Sequence, residues 1–322
     1  MHKIRVGVIR GGVSNEYSVS IKTGAAIINN LPEKYEAVDI FIDKSGVWHC
    51  AGVVQHPADI FSHIDLVINA LHGYYGEDGK IQALFEKYAI PYVGSDSFGS
   101  ALAMNKVLAK EVFKKEGLRS PYYAYIEESE DVLSRAKELY RHMPQPTVVK
   151  PASGGSSFGV IIAKTFNEFL EGIENALAED TMVLIEECKK GKEISCGLVE
   201  RFRGEEHYVF PPIEIITPKG SAFFDYEAKY NGISQELCPA PSLSKEEKTE
   251  IMEMTRKAHK ALSLRHYSRA DFILTPQGAY LLEVNTLPGL TEESLLPKAV
   301  EAVGSSFQEF LEHLIALALQ KK

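Results

Sequence analysis

Three short apolar runs near the start of the chain each end in glycine, and this pattern restricts the first hundred residues more than any other feature. Ile4 to Ile9 leads into Gly11-Gly12, Asp65 to Leu71 leads into His72-Gly73-Tyr74-Tyr75-Gly76-Glu77-Asp78-Gly79, and Pro91 to Gly94 ends on glycine itself. After the first run, Val19, Ile21, Ala25, Ala26 and Ile27 follow a helical pattern that stops before Pro32. Strands that end in Gly-rich loops and open into helices predict an open, mostly parallel α/β sheet. Ligands of such sheets sit at the carboxyl ends of the strands. The G-x-G-x-x-G fingerprint is missing from the first loop, which argues against a dinucleotide-dependent hydride-transfer enzyme.

From about Ser100 the pattern changes. It predicts a helix over Ala101 to Glu116, a further helix after Pro121, and a strand over Thr147 to Lys150. Then comes a loop of small residues, Pro151-Ala152-Ser153-Gly154-Gly155-Ser156-Ser157-Phe158-Gly159. Thr165 with Glu168 makes a capping box for a helix carrying Phe169, Ile173 and Leu177, and Met182 to Glu186 reads as a strand. Strand-like runs at Ile194 to Val199 and Tyr208 to Ile216 precede a polar stretch, Phe224 to Pro241. Ser244 and Glu247 form a second capping box, ahead of Ile251, Met254, Ala258 and Leu262. Two last runs, Tyr267 to Leu274 and Ala279 to Val284, are joined by Thr275-Pro276-Gln277-Gly278, a hairpin signal.

A length of 322 residues allows two or three domains. Lys plus Arg is 35 and Asp plus Glu is 44, giving a net charge of −9, which disfavours nucleic acid as a partner. Cys50, Cys188, Cys196 and Cys238 form no C-x-x-C pair, so they read as small buried hydrophobes in a reducing compartment. No run approaches the ~18 apolar residues of a membrane span, and Met1-His2-Lys3-Ile4 passes straight into a strand-like run. A soluble cytoplasmic protein without a membrane partner is the expectation.

The C-terminal hairpin has the sharpest chemistry. Glu283 and Asn285 are two apart on a strand and leave the same face. Folding back through the turn sets Asp271 opposite residue 282 or 283, depending on register. An all-oxygen cluster of this kind suits Mg²⁺. The alternative is a solvated sheet face, against which Leu281, Leu282 and Val284 argue by making the strand internal. The Ser/Gly loop after Lys150 suits a phosphate cradle or a plain flexible loop, and it is not a P-loop. Lys106, Lys150 and Lys229 singly read as surface lysines. Beside a carboxylate cluster they would neutralise a polyphosphate. His72, at a strand's carboxyl end, is either a loop histidine or a ligand contact.

Taken together, these segments resemble the D-alanine–D-alanine ligases of the ATP-grasp superfamily, nearly end to end. The matching runs are Gly11 to Glu16 with Val19-Ser20, HGYYGEDGKIQ at 72–82, AMNK at 103–106 and VKPASGGSSFGV at 149–160. VLIEE at 183–187, GKE at 191–193, FDYEAKY at 224–230, RADF at 269–272, LEVNTLPGLT at 282–291 and Ser294 to Pro297 complete the series. The resemblance implies an N-terminal open parallel α/β domain (1–100) followed by a two-domain ATP-grasp fold. Its central subdomain would span 101–188 and its catalytic domain 189–322, with a lid loop at about 224–241 that is mobile without nucleotide.

It also implies roles. ATP would meet Lys106, Lys150, Glu186, Glu187 and Glu193, with Phe223 and Leu282 as apolar walls. Asp271, Glu283 and Asn285 would bind two Mg²⁺ ions, with Mn²⁺ an acceptable substitute. One D-alanine carboxylate would attack the γ-phosphate to form an acyl phosphate, and the amine of a second would attack the acyl carbon. Lys229 and Lys150 would offset charge, while Arg269 and the Gly289 N–H would stabilise the tetrahedral oxyanion. Glu16 would hold the first ammonium, His72 would lie near its carboxylate, and Ser156 and Tyr230 would shape the site with Glu16. Ser294 with Leu295 would hold the second carboxylate. A homodimer supplying peptidoglycan precursor, and so cell-wall growth and cell shape, is the implied setting.

Departures from the family pattern are Tyr17 for His, Asn105 for Asp, and Glu292-Glu293 for Ser-His before Ser294. The glutamate pair is expected to raise the KM for the second substrate. Two rival readings remain: a ligase of the same fold that uses D-lactate or another amino acid second, and a catalytically inactive ATP-binding protein.

Overall fold

The computed structural model describes residues 3–155, 159–216 and 235–320. The first unit comprises β1 (Ile4–Gly11), α1 (Tyr17–Asn30), β2 (Tyr35–Ile42), β3 (Trp48–Cys50), β4 (Val53–Val54), α2 (Pro57–Phe61), β5 (Leu66–Asn69), α3 (Lys80–Lys87) and β6 (Tyr92–Val93). Its sheet runs β4-β3-β2-β1-β5-β6, with β1 parallel to both β2 and β5. The chain leaves β1 toward β2 on one side and later returns to β5 on the other. A crevice therefore opens at the carboxyl ends of β1 and β5. At that end Gly11 has φ +95°, and a Cβ there would lie 2.1 Å from the Ile42 carbonyl oxygen, so only glycine fits.

The second unit holds α4 (Ser97–Met104), α5 (Lys106–Lys115), β7 (Tyr123–Glu127), α6 (Val132–His142), β8 (Thr147–Pro151), β9 (Ile161–Ala163), α7 (Phe166–Glu179) and β10 (Met182–Glu187). Its antiparallel sheet runs β7-β10-β8-β9. The capping box at Thr165 is present. The single helix expected over 101–116 is instead two. Asn105 has extended backbone and its side chain accepts from the N–H groups of Val107 and Leu108 at 3.1 and 3.0 Å. An N-cap is the competing use of asparagine that overrides helical periodicity.

The third unit contains β11 (Lys192–Phe202), β12 (Glu205–Val209), β13 (Ile213–Ile216), β14 (Gln235–Leu237), α8 (Lys245–Ala261), β15 (Tyr267–Thr275), β16 (Gly278–Asn285), α9 (Leu295–Ala302) and α10 (Phe307–Leu319). The sheet runs β14-β13-β11-β15-β16, with β12 also paired to β11. The expected strand over 208–216 is split, because Pro211-Pro212 supplies no N–H to a ladder.

Cores cross these units. Ile251 and Ala258 of α8, with Leu262 just after it, pack with Phe272 and Leu281, and also with Ala109 and Phe113 of α5. Phe310, Leu311 and Leu314 of α10 share a core with Val6, Leu66 and Ile68 of the first sheet and with Phe210 and Tyr267 of the third. All three α10 side chains are fully buried, each worth roughly 1.5–3 kcal/mol. This C-terminal helix fixes the crevice of the first sheet against the hairpin of the third.

Candidate active site

The hairpin decides its register by a bulge. Arg269 pairs with Asn285 and Asp271 with Glu283, while Phe272 pairs with Leu281, so Leu282 has no partner across the ladder. The extra residue shifts the alternation: Ala279 and Leu281 are buried before it, Val284 after it, and Leu282, Glu283 and Asn285 are all half-buried. Bulges re-aim side chains in this way. Arg269 donates to both carboxylate oxygens of Asp271, at 3.0 and 2.8 Å, and Ser195 on β11 adds a hydroxyl donor at 2.7 Å. Asn285 Oδ1 accepts from the Leu287 N–H at 3.0 Å. Two carboxylates and an amide oxygen on one face fit a hard divalent cation, with Arg269 ready to share Asp271 with it.

Opposite the hairpin stand the loops that follow β1 and β5. Glu16 ends the first loop, and its Oε2 would lie 2.7 Å from a Cβ at Gly73 and 3.0 Å from one at Gly155. The carboxylate thus lies close to both backbones, and at Gly73 a φ of +70° independently favours glycine. His72 is buried; Nε2 meets Thr23 Oγ1 at 3.0 Å and Nδ1 meets Glu77 Oε1 at 3.4 Å. Burial opposes its positive charge, but Glu77 and then Glu16 outweigh that and raise its pKa. Thr23 and Glu77 escape sequence reasoning; Glu77 lies in the 72–79 run, yet nothing in its spacing marks it.

Between the two sides lies a buried lysine cluster. Glu186 is 2% exposed and both of its oxygens are engaged, Oε2 with Lys150 Nζ at 2.6 Å and Oε1 with Lys110 Nζ at 2.5 Å. Burial pushes its carboxyl up, yet Lys110 and Lys150 hold it below the ordinary range. Lys106 Nζ donates to the Gly154 carbonyl and stands 3.7 Å from Glu283 Oε2. Burial, with repulsion from Lys150, lowers its pKa despite Glu283. Lys150 is raised: burial disfavours its charge, but Glu186 and Glu283 prevail. Lys110 was not singled out by sequence, although its place one helical turn after Lys106 puts it on the same face.

A cleft of about 1030 Å³, counting the solvent at its mouth, brings the hairpin and the facing loops together with Lys106. Glu16, His72, Lys106, Arg269, Glu283, Asn285, Gly289, Ser294 and Leu295 all line it. Ser294 Oγ meets Thr291 Oγ1 at 2.8 Å, and a Cβ at Gly289 would lie 2.7 Å from it. Leu295 is buried in the core behind. Glu187 pairs with Lys189 at the edge of β10, and Glu193 is half-buried opposite Ile273 on β15. Leu282, Lys150, Glu186, Glu187, Glu193 and Asp271 do not line this cleft. Ser156, Phe223, Lys229, Tyr230 and most of the expected lid at 224–241 lie outside the described residues.

The departures are also placed. Tyr17 turns to Phe41, ring centroids 6.3 Å apart, with Lys44 Nζ 5.1 Å from its centroid. Glu293 lines the cleft, with Lys298 Nζ 3.8 Å away and itself 2.7 Å from Glu236.

Among the described residues no helix is long and apolar enough to cross a membrane. The family described as D-ala D-ala ligase N-terminus matches residues 5–61 and 52–95, and D-ala D-ala ligase C-terminus matches 112–316. A D-alanine--D-alanine ligase of Geotalea uraniireducens is 38% identical over 98% of this chain and 96% of its own length. That of Bacillus anthracis is 37% identical over 98% of both chains. Among solved structures, a D-alanine--D-alanine ligase from Bacillus anthracis superposes with a TM-score of 0.81 at 36% identity, covering 98% of this chain and 97% of its own. VanG D-Ala:D-Ser ligase from Enterococcus faecalis gives 0.87 at 31%, covering 99% and 100%. With whole-length identity and an α/β fold of the ATP-grasp type, the chain belongs to the D-alanine–D-alanine ligase family.

Proposed function

We propose that this enzyme joins two D-alanines into D-alanyl-D-alanine through an acyl phosphate, with ATP as phosphoryl donor, to supply peptidoglycan precursor. The observation that carries this reading is the convergence of Glu16 and His72 with Arg269, Glu283 and Asn285 in one cleft, beside Lys106. Glu16 offers a carboxylate for the first ammonium, and His72, its charge favoured by Glu77, faces the attached carboxylate.

Two anions must approach when that carboxylate attacks the γ-phosphate. Lys106 and Lys150 supply positive charge there, and Glu186 holds Lys150 in place. Asp271, Glu283 and Asn285 would hold Mg²⁺, which would supply charge neutralisation for the phosphates. Arg269, fixed by Asp271, faces the developing oxyanion with the Gly289 N–H, and Ser294 receives the second carboxylate. Glu187, Glu193 and Leu282 frame the nucleotide from β10, β11 and β16. Lys229, Tyr230, Ser156 and Phe223 complete the site in this reading. The three sheets serve as three domains, and the working unit is a cytoplasmic homodimer.

The test is ADP release with Mg²⁺, ATP and D-alanine, with the product identified by mass and D-lactate, D-serine and L-alanine run in parallel. Dipeptide formation from D-alanine, abolished by chelation of Mg²⁺, is the expected result. Turnover with D-lactate or D-serine alone would move the second-substrate assignment, and ATP binding without turnover would favour an inactive protein.

A further inference from the structure

We propose that Glu200, His207 and His259 form a binding site for a divalent transition-metal ion of the zinc class, separate from the ligase cleft. Glu200 and His207 face each other in the β11–β12 ladder, and His259 reaches them from the last turn of α8. One ligand atom from each lies within 4.8 Å of the other two. His259 is 1% exposed, yet its Nε2 has no hydrogen-bond partner. Glu200 Oε1 is 3.5 Å from that nitrogen, well beyond the roughly 2.7–2.9 Å of a charge-assisted hydrogen bond. Ligand atoms about 2.0–2.1 Å from a tetrahedral zinc stand roughly 3.3 Å apart, so the 3.5 Å between Glu200 and His259 is close to what a bridging cation requires, and His207, within 4.8 Å of both, has only to close in on the ion.

The surroundings orient each ligand. His259 Nδ1 lies 2.8 Å from the fully buried Ser268 hydroxyl, which can take the Nδ1 proton and leave the Nε2 lone pair for a cation. Glu200 Oε2 accepts the His266 N–H at 2.9 Å, leaving Oε1 toward the histidines. Two imidazoles and one carboxylate select zinc-class ions over Mg²⁺ or Ca²⁺, with a fourth position for water. Glu200 is seven residues along β11 from Glu193, about 23 Å at strand spacing, so the site is remote from the nucleotide side. Its effect is to tie the β11–β12 hairpin to α8. The Glu200 N–H also donates to the His266 carbonyl at 2.8 Å, and His266 Nδ1 accepts the Gly94 N–H at 2.9 Å, so the brace reaches the first unit.

The test equilibrates the full-length enzyme with micromolar Zn²⁺ under excess Mg²⁺, which keeps the oxygen sites filled, followed by dialysis and elemental analysis. One zinc per chain, a raised Tm, and a Co²⁺ form with the strong visible absorption of four- or five-coordinate nitrogen ligation are expected. His207→Ala and Glu200→Gln sit at the partly exposed rim and avoid unfolding that His259→Ala risks. Each is expected to weaken zinc binding by more than the roughly 10–100-fold cost of losing an outer partner, with unchanged zinc-free turnover. Failure of the wild-type enzyme to retain zinc, or retention undiminished in both variants, overturns the proposal.

Discussion

The oxygen face of the hairpin and the lysine cluster around Glu186 both handle charge, and they are built in opposite ways. Asp271, Glu283 and Asn285 come from two adjacent strands and remain half-buried, and Glu283 and Asn285 line the cleft. Lys110, Lys150 and Glu186 come from α5, β8 and β10, and their side chains are almost fully removed from solvent. In the first region Glu283 and Asn285 border the cleft, with Asp271 held beside them by Arg269. In the second, Lys110 and Glu186 are committed to each other, because an unpaired ion there carries a desolvation penalty of several kcal/mol, and only Lys150 is also assigned to the phosphates. Substitutions should therefore separate activity from stability.

The largest activity effect is expected from Arg269→Ala. Losing an oxyanion donor lowers kcat by about 10²–10³, and steady-state kinetics should show this with little change in Tm. Lys110→Met reverses the pattern. It leaves Glu186 short of a buried partner, and chemical denaturation should show a loss of about 3–5 kcal/mol. Equal stability of the two variants would break the comparison.

His72 adds a pH dependence. Its folded pKa is raised, so the native state holds the proton more tightly than the unfolded chain. The stabilisation is complete below the unfolded value near ~6.5 and is lost as pH rises through the higher folded value. Unfolding free energy should fall across that window, and His72→Gln should remove the slope. Asn105→Ala should cost about 1 kcal/mol by uncapping α5, while Asn105→Asp should be near neutral because both are good caps. The smallest effect is expected for Glu293→Ser: a KM for the second D-alanine lowered by less than about tenfold, with the difference shrinking as salt is added.

Legibility followed locality. The capping boxes at Thr165 and Ser244, the hairpin and the glycine-terminated strands are short-range devices, and all appear where the residues predict them. Asn105 misled because helical periodicity continues through it, while its side chain prefers to cap. Asp271 had two candidate partners because a bulge cannot be read from alternation alone; Leu282 absorbs the shift. Lys110 was invisible because nothing local marks a lysine as buried. Glu186, its partner, is 76 positions away in the chain.

The sequence by itself determined many of the elements, the family and most of the residue types of the cleft, since spacing and turn chemistry act over a few residues. Only the tertiary structure decided which carboxylate belongs to which cation. Arg269 clamps Asp271, Glu77 charges His72, and Glu186 binds two lysines, through contacts spanning 2 to 76 residues. The physical reason is desolvation. A charge acquires its partner and its pKa only once packing has removed water, and packing is a property of the assembled fold.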